Sequence, residues 1–99
     1  MALEQHIRHV PGTKSAGVVL YALSTCGWCR KTKGLLDDLA IEYDYVYIDQ
    51  LDGETRKEAL DRVRALNPKT TFPTMAVNGR AIIGHREDEL REALRSGHG

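Results

Sequence analysis

The chain has 99 residues, 41% hydrophobic and 28% charged, a balance that fits one folded domain and leaves no room for a second core. Fourteen Lys and Arg offset fourteen Asp and Glu, so the basic excess of a nucleic-acid binder is missing. No apolar stretch approaches the roughly 20 residues that span a bilayer, and residues 1–10 hold no apolar secretory region. The expectation is a cytoplasmic monomer with neither nucleic acid nor membrane as partner.

Residues 1–16 read as an N-terminal extension with a turn at Pro11-Gly12, and residues 17–99 as the domain. His6 to Val10 gives only a poor edge-strand signal. Val18 to Leu23 is an unbroken apolar run, the mark of a strand buried on both faces. Ser24-Thr25 then supply helix-start residues for a helix to about Ala40, with Leu35, Leu36 and Leu39 inward. Tyr43 to Ile48 is aromatic and β-branched and predicts a second strand.

Asp52-Gly53 opens a second helix with Ala59, Leu60, Val63 and Leu66 inward. Asn67-Pro68 ends it, because proline bars the residue before it from the α conformation. Short strands at 74–77 and 81–83 flank Asn78-Gly79, a strong hairpin signal. A last helix carries Leu90, Ala93 and Leu94, and the tail from Ser96 to Gly99 is expected to fray. The order β-α-β-α-β-β-α, with a right-handed first crossover, predicts an α/β fold. Its four-stranded mixed sheet carries helices on both faces.

Both cysteines lie in Cys26-Gly27-Trp28-Cys29. A disulfide there closes a very short loop and stabilises little, so reactivity explains the pair better than stapling does. The pair falls where the first strand gives way to the first helix. Helix N-termini expose unpaired N–H groups that favour an anion, so Cys26 is the expected nucleophile, with Arg30, Lys31 and Lys33 adding positive field. Cys29, one helical turn on, is the expected resolving thiol. A zinc site would need two further N or S ligands, and His6-x-x-His9 is too tight for a finger. Zinc therefore stays the weaker alternative.

Trp28 has two readings, an exposed platform for substrate or packing against the hairpin. In Thr71-Phe72-Pro73-Thr74, Pro73 suits either a cis bond or a plain strand start. His85 reads as an ordinary exposed histidine beside the groove, and the charges of 54–64 and 86–95 as wet helix faces.

Cys-x-x-Cys after the first strand, Phe72-Pro73 before the hairpin, and Gly84 ahead of the last helix together resemble the glutaredoxin family over residues 17–95. The resemblance implies the thioredoxin-like fold and an enzyme, a disulfide oxidoreductase that reduces protein or glutathione mixed disulfides. It implies Cys26 as nucleophile, Cys29 as resolving thiol and Phe72-Pro73 as a backbone dock. Thr25, Trp28, Lys69, Thr70 and Asp88 become candidate substrate or glutathione contacts, with Lys69 for a glycine carboxylate and Asp88 for the amine.

The departures bear on the electron donor. Leu23 stands where many glutathione users carry lysine, and Gly84-His85-Arg86-Glu87-Asp88 replaces Gly-Gly-x-Asp. That run is similar to the redoxins that serve ribonucleotide reductase and are recharged by thioredoxin reductase. The expectation is no tightly bound cofactor, with either glutathione or such a reductase as donor. Gly27 after the first cysteine also resembles glutaredoxins that hold an iron–sulfur cluster between subunits, a second alternative.

Overall fold

A computed structural model describes residues 3–96. Two conditions shape it: a central strand apolar on both faces, and helices that each have one apolar stripe. That strand, β2 (Lys14–Ala22), leads through helix α1 (Gly27–Asp38) to β3 (Ile41–Tyr47), which lies parallel to it. Helix α2 (Gly53–Leu66) then crosses to the hairpin β4 (Thr74–Val77) and β5 (Arg80–Ile83), and helix α3 (Glu87–Ser96) follows. Both β4 on β2 and β5 on β4 are antiparallel.

The two faces of β2 feed two cores. Val18, Leu20 and Ala22 pack with Cys29 and Leu36 of α1 and with Leu90, Ala93 and Leu94 of α3. Tyr21 joins Val46, Ile48, Ala59 and Val63 on the opposite side, under α2. The expected helices on both faces are therefore present, and the continuous apolar run of β2 is what each face requires.

The sheet has five strands, ordered β1-β3-β2-β4-β5, and not the expected four. The added strand β1 (Arg8–Val10) runs antiparallel on the edge of β3, with His9 opposite Asp44. His9 fastens it: Nδ1 lies 2.7 Å from Asp44 Oδ1 and Nε2 lies 3.0 Å from Glu42 Oε2. Those two carboxylates hold the imidazole above its ordinary pKa, through the hydrogen bond to Asp44 first. The segment expected as an extension also sends Leu3, fully buried, into the α2 core. The rest of the tail, 97–99, lies outside the described residues, whereas Ser96 closes α3.

Two turns and a bulge set the strand register. Pro11-Gly12 does turn the chain, and the N–H groups of Thr13 and Lys14 both donate to Ala40 O. Gly12 is pressed against β3 so closely that a Cβ there would sit 2.5 Å from the Ile41 carbonyl carbon. β2 begins at Lys14 and bulges between Ser15 and Val18, a bend that the apolar pattern alone does not reveal. Asn78 and Gly79, at φ 51° and 86°, form the predicted tight hairpin turn. Among the described residues no helix is long and apolar enough to cross a membrane.

Candidate functional site

The first helix starts later than Ser24-Thr25 suggests. The N–H of Ser24 donates to Asp49 Oδ1 at 2.8 Å, and its hydroxyl donates to Asp49 Oδ2. With Ser24 so engaged, Cys26 becomes the helix cap, in an extended conformation of φ −87° and ψ 120°. Its Sγ accepts the N–H of Cys29 at 3.2 Å, the position a capping side-chain oxygen usually takes. These two donations also lower the Asp49 carboxyl below its ordinary value, the Ser24 hydroxyl contributing most.

The two thiols are free and unlike. Cys26 is half-buried at the end of the sheet, while Cys29 is 2% exposed and packs into the α1–α3 core. Burial pushes the Cys29 thiol up to about 12, and the hydrogen bond with Cys26 adds to the rise. The basic residues of α1 part company. Lys31 Nζ lies 4.8 Å from the centre of the Trp28 ring, whereas Lys33 turns away to Asp37 and the Tyr45 ring.

A groove of about 270 Å³ opens beside the cysteines, lined by Trp28, Phe72, Pro73, Gly84 and His85. Trp28 is 59% exposed, and its ring stacks on His85, beyond the hairpin, with centroids 5.7 Å apart. His85 is not the idle exposed histidine expected. It is half-buried, and its Nδ1 lies 2.8 Å from the hydroxyl of Thr32, itself buried in α1.

The Phe72-Pro73 bond is cis, the first of the two forms considered. The Pro73 carbonyl accepts the N–H of Gly84 at 2.8 Å, which joins this loop to the end of β5. Among the described residues the N–H and C=O of Phe72 take no backbone partner. The loop hangs on Asn67, a buried amide that sequence reasoning treated only as a helix stop. Its Nδ2 donates toward Thr71 Oγ1 at 2.9 Å and Thr74 Oγ1 at 3.0 Å, and its Oδ1 accepts the N–H of Lys69 at 3.1 Å.

The structure thus gathers Trp28, Phe72 and Pro73 around one groove, and packs Cys26 and Phe72 against the same core. Thr25 is exposed directly ahead of the cap. Lys69 and Thr70 sit on the turn after α2, and Asp88 is exposed on the first turn of α3. Those last three do not line the groove. Asp49, Asn67 and the Thr32–His85 pair are the residues that sequence reasoning missed. Only polarity near a helix boundary or a glycine marked Asp49, Asn67 and His85, and nothing marked Thr32 in the middle of α1.

The glutaredoxin family model matches residues 18–82, well over half of the chain. A glutaredoxin from Methanosarcina mazei Go1 superposes with a TM-score of 0.83 at 48% identity, over 90% of this chain and 87% of that one. Methanoredoxin from Methanosarcina acetivorans gives a TM-score of 0.79 at 45% identity, over 84% and 88% of the two chains. A glutaredoxin-like 8.6 kDa protein encoded in a rubredoxin operon of Clostridium pasteurianum is 29% identical over 77 residues, 78% of this chain and 96% of its own. With a cysteine pair at a helix start and a cis-proline loop before the hairpin, the chain belongs to the glutaredoxin family and shares its thiol–disulfide oxidoreductase type of function.

Proposed function

We propose that the chain reduces disulfides of protein substrates, with Cys26 as the attacking sulfur and Cys29 as the resolving one. The observation that carries this reading is the inequality of the two thiols across a single hydrogen bond. Cys26 is reachable and receives the Cys29 N–H, while Cys29 is buried and held protonated. A thiolate at Cys26 attacks one sulfur of the substrate disulfide, and the S–S bond breaks to release the first substrate thiol. Cys29 then gives up its proton and attacks the sulfur of Cys26. The second substrate thiol leaves and an intramolecular disulfide remains, so two electrons have passed to the substrate.

The free backbone groups of Phe72 support the docking of an extended segment along the loop by strand addition. Trp28 and His85 line the same groove. Binding of a protein segment therefore relies on backbone pairing and aromatic contact, without Lys69 or Asp88.

The test is reduction of a protein disulfide such as that of insulin, with the oxidised chain recharged in three separate arms. One arm uses dithiothreitol, one uses NADPH with thioredoxin reductase, and one uses glutathione with its reductase. Turnover in any arm, lost in Cys26→Ser, supports the reading, and the arm that works names the class of donor. No acceleration over the donor alone in all three arms overturns it.

A further inference from the structure

The N-terminal segment builds a second concavity that the cysteine chemistry does not use. A cavity of about 290 Å³ lies on the β1 side of the sheet, whereas the cysteine groove lies toward β4 and β5. Gln5, His6 and Arg8 line it from the N-terminal segment, and Tyr47 and Gln50 from the end of β3 and the turn after it. Its lining is therefore mostly groups that donate hydrogen bonds: one guanidinium, two amides, a phenol and an imidazole.

Among the described residues Arg8 has no carboxylate partner and no side-chain hydrogen bond. Four acids near it in the chain, on β3 or in the turn after it are engaged elsewhere. Glu4 pairs with Arg62 at 2.8 Å, Asp44 and Glu42 hold His9, and Asp49 accepts from Ser24. A guanidinium presents a planar fork of donors that matches carboxylate and phosphate oxygens two at a time. At roughly 30 Å³ per water, the volume exceeds what a bare ion fills.

The geometry points to a binding site here for a small organic oxyanion, a carboxylate or phosphate ester held by the Arg8 fork and the amides of Gln5 and Gln50. The site is separate from the cysteine groove, because the two share no lining residue. It gives the N-terminal segment a role besides covering the edge of β3.

The test is an NMR titration of the reduced, full-length chain with succinate in one arm and glycerol 3-phosphate in the other. Sodium chloride at matched ionic strength is the reference. Saturable shifts at the amides of His6, Arg8, Tyr47 and Gln50 are expected, and the arm that saturates at lower concentration identifies the oxyanion. Arg8→Gln is expected to weaken binding by about tenfold or more, the loss of one charge-assisted contact. Should that variant fold poorly, Gln50→Glu serves instead, since it sets a carboxylate against the anion and is expected to weaken binding as strongly. Shifts that follow the chloride reference in both arms, or saturation unchanged in these variants, would overturn the proposal.

Discussion

The N–H of Cys29 lies 3.2 Å from the sulfur of Cys26, so the buried cysteine supplies the hydrogen bond that holds the reachable one. One turn of helix separates two environments. The cap position leaves Cys26 at the edge of solvent, and the third residue of the helix falls inward among Leu20, Ala22 and Leu36.

The burial of Cys29 makes the reduced protein sensitive to alkali. The folded-state value of about 12 lies above the ordinary 9.0, so the fold favours the neutral thiol. The contribution is complete below about pH 9 and is lost as pH climbs toward 12, by about 1.4 kcal/mol per pH unit at most. The oxidised form has no thiol to ionise. Tyr43 and Tyr21 are also pushed up, but both are present whether or not the cysteines are oxidised. Chemical denaturation of the two forms between pH 8 and 11 should therefore show the reduced protein losing stability faster. Parallel curves would contradict the buried-thiol geometry.

Asp49 holds the lead-in to Cys26 through Ser24. Asp49→Ala removes both acceptors and is expected to cost about 1 kcal/mol of stability, since the pair is exposed, and to slow disulfide reduction. The carboxyl is lowered from an ordinary 3.8. Its contribution is present above that value and fades as pH falls through the lowered folded one. Wild-type and variant stabilities should accordingly converge in acid. A constant gap down to pH 2 would assign the effect to packing alone.

His85 is expected to act on stability through Thr32. His85→Ala leaves a buried hydroxyl without its 2.8 Å partner, at a cost of about 1–3 kcal/mol. In a Thr32→Val background the same change should cost less, by a coupling of about 1 kcal/mol. Simple additivity of the two substitutions would show that the hydrogen bond is not made in solution.

Gly12 and Gly34 should respond oppositely to alanine. At Gly12 the new Cβ meets the β3 backbone at 2.5 and 2.6 Å and Ala40 O at 2.7 Å, an overpacking expected to cost about 1–3 kcal/mol. At Gly34, inside α1, nothing lies within 4 Å, and alanine should stabilise by about 0.5–1 kcal/mol. Equal effects in urea denaturation would contradict the close approach of the Pro11-Gly12 turn to β3.

Elements written in local pattern were legible from sequence. The apolar run of β2, the stripe of α2 and the Asn78-Gly79 turn each carry their cause within a few residues. β1 was not, because its stability comes from backbone pairing and from a His9–Asp44 contact 35 positions away. The start of α1 was misread for a similar reason. Ser24 is a good cap by type, but an acid 25 positions on has claimed its hydroxyl, so a cysteine caps instead. Motif spacing likewise found the cysteines and Phe72-Pro73, whereas Asn67, which suspends that loop through Thr71 and Thr74, shows its role only in three dimensions.

The most direct test of the unequal roles of Cys26 and Cys29 is intact-mass analysis of Cys29→Ser and Cys26→Ser, each reduced and then exposed to a disulfide peptide. Cys29→Ser should accumulate one stable peptide adduct, mapped to Cys26, because no resolving thiol remains. Cys26→Ser should stay unmodified, its remaining thiol buried and protonated. An adduct forming as readily on Cys29, or none on Cys26, would contradict the assignment of attacking and resolving sulfurs.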